Sequence, residues 1–223
     1  MRQELFTIVD DITVTFNLDS LASQLRLRSS AKNEKRLGEL AAEAAPIARP
    51  KAGARLSAIN SIESEQVVLD EITFSSPLLV EKFNGLGRVF PYLATEGEEL
   101  AEWGRSFAGL DRVLADALQQ DALQQARLAL EGRILETYGL VQVSALNPGS
   151  LLVWPIRQQV PLFELLTPLP EKLGISLLPS FMMKPERSVS GIFFQSDTKF
   201  HNCQLCPKVA CPNRKAPSQV AQP

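Results

Sequence analysis

An α+β fold with a mainly antiparallel sheet and flanking helices is what this sequence predicts. Three observations carry that expectation. β-Branched, alternating stretches stand near both ends of the chain, at residues 6–16 and 189–194. A continuous i+4 row of apolar residues runs from Leu110 to Ile134, which marks one long helix. No internal repeat and no clean linker divides the 223 residues, a length that can bury a full core.

The elements follow in order. Ile8, Val9, Ile12, Val14 and Phe16 make residues 6–18 a strand or hairpin. Residues 26–45, rich in Ala, Glu and Leu, predict a helix ending before Pro46. Two prolines and Gly53 make residues 46–54 a loop, and strands are expected at 57–62 and 66–74. Pro77 opens a short helix through Phe83, and Gly85 and Gly87 make a turn. Residues 88–94 look like a buried strand in which Pro91 suggests an edge or a bulge. Thr95, with Glu98 three residues on, caps a helix through Phe107.

The long helix widens its apolar row with Val113 and Ala117 and ends at Tyr138-Gly139, where glycine suits the left-handed cap. Residues 140–146 alternate as a strand, and Asn147-Pro-Gly-Ser150 is a turn. Trp154-Pro-Ile leads into a short helix at 157–166, and another brief helix stops at Gly174. Residues 175–181 and 189–194 are expected to be paired strands. The Pro, Ser and Gln of the tail from Lys215 predict disorder.

Composition excludes several classes of function. Hydrophobic residues at 45% and charged residues at 22% are ordinary for a soluble globular protein. A net charge of −2 leaves no electrostatic footprint for nucleic acid. No apolar run approaches the roughly 20 residues that cross a bilayer. Acids follow the start where a secretory signal needs an apolar run, so a cytoplasmic location is expected. A disulfide framework is not expected there, because the cysteines number three and the cytosol keeps thiols reduced. The single histidine lies near those cysteines, which leaves no Ser-His or Cys-His pair elsewhere for nucleophilic catalysis. No glycine loop of the phosphate-cradling type is present, so no independent catalytic constellation is seen.

All three cysteines and the histidine fall in His201-Asn-Cys203-Gln-Leu-Cys206-Pro-Lys-Val-Ala-Cys211. Three thiolates and an imidazole on one loop make a soft-metal site with His201, Cys203, Cys206 and Cys211 as candidate ligands. The spacing serves a four-ligand zinc knuckle and an iron–sulfur cluster equally. Lys199, Lys208, Arg214 and Lys215 surround the loop and either stabilise a negative cluster or form a solvated face.

The segment Ser180-Phe-Met-Met-Lys-Pro-Glu-Arg-Ser-Val-Ser-Gly-Ile-Phe-Phe194 resembles an element of the reactivation domain of vitamin B12-dependent methionine synthase. Asn147-Pro-Gly-Ser150 with Trp154-Pro-Ile-Arg-Gln-Gln and Leu162-Phe-Glu-Leu-Leu166 is similar to that family's Pro-Gly turn and following helix. Ala94-Thr-Glu-Gly-Glu-Glu-Leu100, Asp111 and the long helix resemble its small stand-alone members. The likeness spans roughly residues 60–214.

It implies a twisted antiparallel sheet with flanking helices; with the cysteine cluster and the tail composition, the chain divides into an activation-domain-like body at 1–200 (the likeness clearest over 60–200), a metal loop at 201–214 and a tail at 215–223. It implies a domain that lies over the cobalamin of a partner and offers S-adenosylmethionine as methyl donor after one-electron reduction. On this resemblance Asn147, Pro148, Gly149, Ser150, Trp154, Ser188, Ser190, Lys199 and Phe200 are candidate cofactor-binding residues. Glu131 lies where the family has acidic ligand contacts, and Met182 and Met183 offer either a soft contact to a corrinoid or core filling.

The departures from the family pattern count against the methyl donor. The family turn reads Arg-x-x-Pro-Gly-Tyr, whereas Ala145, Pro148, Gly149 and Ser150 stand at the matching positions here. The cationic fork for a ligand carboxylate is missing. A tyrosine pair is likewise replaced by Lys199-Phe200-His201. Because zinc carries no electron, the resemblance turns the cysteine loop toward an iron–sulfur relay. The resulting expectation is an accessory protein for reductive reactivation of a corrinoid-dependent methyltransferase, methionine synthase foremost. Its electron donor would be of the ferredoxin or flavodoxin kind. The alternatives are a zinc-stapled, non-catalytic module binding a corrinoid protein, and a domain that still binds S-adenosylmethionine.

Overall fold

A computed structural model describes residues 5–27, 30–205 and 216–218. In chain order the elements are β1 Phe6–Val9, α1 Leu18–Gln24, α2 Ala31–Ala44, β2 Lys51–Arg55, β3 Ser57–Ile62, β4 Gln66–Leu69 and β5 Ile72–Ser75. Then come α3 Pro77–Phe83, β6 Arg88–Thr95, α4 Glu98–Arg105, α5 Gly109–Tyr138 and β7 Val143–Leu146. A 3-10 turn Ile156–Gln158 leads into α6 Gln159–Leu165, followed by α7 Leu169–Leu173, β8 Ser176–Leu177, β9 Met183–Lys184 and β10 Ser188–Gln195. A 3-10 turn at Asn202–Gln204 closes the described cysteine arm.

All pairings in the main sheet are antiparallel, as expected. β6 is its centre: β2 and then β3 run along one side of it, and β10 along the other, with β7 outside β10. β1 extends the sheet beyond β2, while β4 and β5 extend it beyond β3. Alternation of side chains sorts the two faces. Phe90, Tyr92 and Ala94 of β6 pack with Leu123, Ala126, Leu130 and Ile134 of α5. Val89 and Leu93 pack on the opposite side with residues of α3, α6 and α7. The N-terminal half of α5 rests in turn against α1, α2 and α4 through Leu114, Leu118, Leu37, Leu40 and Leu100. The i+4 row therefore serves two cores in succession, and Gly139 ends the helix at φ 62°. Among the described residues no helix is long and apolar enough to cross a membrane.

Several local expectations are corrected. The opening strand stops at Val9, and Val14 buries against the helical layer instead of the sheet. The Asp10-Asp11 pair interrupts the alternation, and Asn17 caps a helix, α1, that the sequence reading does not contain. Residues 51–55 are not loop but β2, where Gly53 leaves room for the Leu169 side chain, whose methyl a Cβ would meet at 2.6 Å. Pro91 lies in the central strand and not at an edge. It falls at the interruption between the Tyr92–Ala54 and Val89–Ser57 pairs, where the partner chain passes from β2 into β3 and no ladder donor is needed.

The 66–74 run is a hairpin, β4–β5, with Asp70 at φ 52° in its turn. Thr95 ends β6 and does not cap α4; Gly97 holds the cap position at φ 91°. Finally, β10 does not pair with residues 175–181. It pairs with β6 and β7, and β8 pairs instead with β9.

Candidate functional site

The site is built where β10 passes the turn after β7. Gly191 stands opposite Tyr92 in the β10–β6 ladder. Its missing Cβ lets the Asn147 side chain lie across the strand. Asn147 Nδ2 donates to the carbonyl of Ser190 at 2.8 Å and to Tyr92 Oη at 2.7 Å. A Cβ at 191 would overlap Leu146 O and Asn147 Nδ2. Tyr92 is buried and stacked on Phe193 with ring centroids 4.0 Å apart. Burial pushes its phenol pKa above the ordinary value.

The turn itself is closed by its own backbone. Gly149, at φ 80°, donates its N–H to Trp154 O at 2.8 Å, and Ser150 donates to Asn147 O at 3.2 Å. Pro148 is buried, whereas Gly149 and Ser150 are exposed. Trp154 is 1% exposed, and its Nε1 has no hydrogen-bond partner among the described residues. Exposed apolar side chains rim this corner. Leu152 (95% exposed) and Val153 lie between the bridged Leu151 and Trp154, and Ile156 packs beneath Gly149. Val160 stands beside Gln159, whose Nε2 holds Phe181 O next to exposed Met182.

The arm that enters the cysteine loop is bonded onto the same corner. Ser144 Oγ accepts from Phe200 N at 2.7 Å and shares a hydrogen bond with Ser196 Oγ at 2.7 Å. Asn202 Nδ2 donates to Asn147 Oδ1 at 3.2 Å. Lys199 Nζ reaches Glu131 Oε1 at 2.7 Å, and Arg127 holds the other oxygen of that carboxylate at 3.0 Å. Lys82 lies over the Phe200 ring at 5.0 Å.

The structure thus brings Asn147, Pro148, Gly149, Ser150, Trp154, Ser190, Lys199 and Phe200 to one end of the sheet. Ser188 lies farther along β10, its hydroxyl bonded to Thr95 Oγ1 at 3.0 Å and Pro185 O at 2.7 Å. Met183 packs against the core, and Met182 is 55% exposed. His201 and Cys203 are half-buried beside Asn202, with His201 N donating to Gln204 Oε1 at 3.2 Å. Cys206 and Cys211 lie outside the described residues, as do Lys208, Arg214, Lys215 and most of the tail. Among the described residues no group of three or more His, Cys, Asp or Glu side chains could hold a metal ion.

Tyr92, Arg127, Ser144 and Asn202 complete the site without a sequence signal. Tyr92, Ser144 and Asn202 each enter through a partner 55 or 56 residues away, and Arg127 enters through Glu131, one turn along α5. The residues present do not fit a free amino-acid carboxylate. Among the described residues, Ala145 packs with the apolar cluster around Tyr92 and Phe193, the cations Arg127 and Lys199 both serve Glu131, and Lys82 pairs with Glu81.

An α+β architecture with a central antiparallel sheet, covered by helices on both faces, is the class these elements define. Within it, the chain is similar to a crystal structure of the MetH reactivation domain bound to AdoHcy. The TM-score is 0.62 at 14% sequence identity, over 88% of this chain and 80% of that one. That likeness shows a shared fold. No family model matches the chain, and none of the curated proteins matches it.

Proposed function

We propose that this chain is an accessory protein for reductive reactivation of a corrinoid-dependent methyltransferase, methionine synthase foremost. The observation that carries the reading is the bonding of the cysteine arm to the Pro-Gly turn. Through Phe200–Ser144, Asn202–Asn147 and Lys199–Glu131, the arm that carries Cys203 is bonded to β7, the turn and α5, and Leu152, Val153, Ile156 and Val160 are exposed in the segment that follows the turn. Exposed apolar side chains of this kind are the chemistry that a corrinoid and its protein surround would meet. The shared fold with the MetH reactivation domain supports the same partner class.

In this reading Cys203, Cys206, Cys211 and His201 hold an iron–sulfur cluster, a one-electron carrier. The electron would come from a ferredoxin- or flavodoxin-type donor and pass to the oxidised corrinoid of the partner. The chain's own residues orient the arm: Asn147 fixes Asn202, and Glu131 neutralises Lys199. Among the described residues S-adenosylmethionine has no carboxylate partner at this turn, so the methyl donor is assigned to the partner enzyme. Residues 1–200 act as the docking body and 201–214 as the redox appendage.

Anaerobic preparation of the full chain tests the reading. Iron with acid-labile sulfide in about equal amounts is expected, and both should fall sharply in Cys203→Ser. One zinc without iron or sulfide would support the second reading, a zinc-stapled docking module. A protein that stays colourless after iron–sulfide reconstitution, with thiols open to alkylation, would remove the relay. Calorimetry should show no S-adenosylmethionine binding at millimolar ligand.

A further inference from the structure

Away from this corner, a buried carboxyl lies where β6, α4, α5 and the entry to β10 meet. Glu96 is 1% exposed, and its Oε2 has no hydrogen-bond partner. Its backbone N–H donates to Arg187 O at 3.1 Å, and its Oε1 accepts from Arg187 N at 3.3 Å, so Glu96 clamps the residue that opens β10. On α5, lining the same small cavity, is Gln119, 2% exposed. Its Nε2 donates to Leu100 O at 3.0 Å, while its Oε1 has no partner. Gly104 of α4 leaves the space this amide needs, since a Cβ there would collide with it.

Glu96 and Gln119 line one small cavity, together with Ala101, Arg105, Arg112, Glu186 and Arg187, whose volume of about 10 Å³ holds about one water. Two buried acceptors on one cavity are costly unless a donor reaches them, and the lining guanidinium groups are engaged elsewhere. A proton on Glu96 converts one of them into a donor and satisfies both, directly or through that water.

The charged groups around Glu96 are already committed. Arg105 of α4 holds Glu98 at 2.8 Å. Arg112 of α5 and Arg187 both hold Asp116, at 3.1 and 3.3 Å, and Arg112 reaches Glu186 at 4.0 Å. Ionised Glu96 therefore competes with Asp116 for Arg187 and Arg112.

We propose that Glu96, Gln119 and Arg187 form a proton-operated latch: neutral Glu96 joins α5 to the start of β10, and ionised Glu96 re-partners Arg187. Burial, the largest cause, pushes the Glu96 carboxyl up to about 7; the Arg187 N–H and charge oppose it, and Asp116 and Glu186 add to it. The latch thus opens across neutral pH. Because the folded state holds the proton more tightly than the unfolded chain, its stabilisation is complete below the unfolded value of 4.5 and fades as pH rises through 7.

Thermal unfolding of the full chain and of Glu96→Gln at pH 6 and pH 8 tests this. The wild-type Tm should fall about 4 °C more than that of Glu96→Gln over this interval. Parallel changes would overturn the proposal. Carboxyl-carbon NMR of the wild-type protein gives an independent reading that survives failure of the variant to fold. A Glu96 midpoint near pH 7, followed by the Arg187 guanidinium resonance, is expected. A midpoint below about 5, or an Arg187 signal that stays constant while Glu96 titrates, would equally overturn it.

Discussion

Glycines show how single residues constrain this molecule. Gly191, Gly104 and Gly53 each leave room for a side chain arriving from another element: Asn147, Gln119 and Leu169. A methyl group at 191 meets the fixed carbonyl of Leu146 as well as the Asn147 amide, so the neighbours have little freedom to yield. Gly191→Ala should destabilise the fold by about 3 kcal/mol in urea unfolding. Gly132 is the contrasting case, helical and with nothing near a built Cβ. Gly132→Ala should stabilise by about 0.5–1 kcal/mol in the same measurement. The motif glycine of Ser-Val-Ser-Gly was visible in the sequence, but its reason was not, because the amide that crosses it comes from a turn 44 residues earlier in the chain.

Among the elements, α5 joins two cores, one shared with α1, α2 and α4 and one against the sheet. Its buried row runs from Leu114 through Leu118, Ala122, Ala126 and Leu130 to Ile134. Leu130→Ala should cost about 3 kcal/mol, whereas Leu128→Ala, at a side chain 48% exposed, should change stability by less than about 0.5 kcal/mol. Chemical denaturation separates the two. The row was legible because helical periodicity is local. β2 was not, since Gly53 and neighbouring Pro50 have low strand propensity and gain their conformation from pairing with β1 and β6. The pairing of β10 was likewise hidden, because two strands of suitable pattern close in sequence carry no mark of which partner each will choose.

At the level of the whole molecule, the fold presents one corner that is both apolar and tied to the cysteine arm. Leu152 is nearly fully exposed and touches no core, so Leu152→Asp should leave the Tm unchanged. The same change should weaken binding to a corrinoid-dependent methyltransferase about tenfold or more in a titration, if that corner docks the partner as proposed. Equal affinity of the variant would place the docking face elsewhere.

Periodicity, capping glycines and turn dipeptides are properties of neighbours in the chain, and they made the fold class, the long helix, α3 and the Asn147–Ser150 turn readable from residues alone. Clustering of the cysteines with His201 was equally plain. Which residues surround them is a matter of contacts between distant segments. Tyr92 reaches Asn147 only because β6 and β10 are adjacent, and Lys199 meets Glu131 only because α5 crosses that end of the sheet. Burial, too, belongs to the folded state. Glu96 stands in an acidic, solvent-like stretch of sequence, and packing between α4, α5 and the entry to β10 makes it a buried, near-neutral carboxyl.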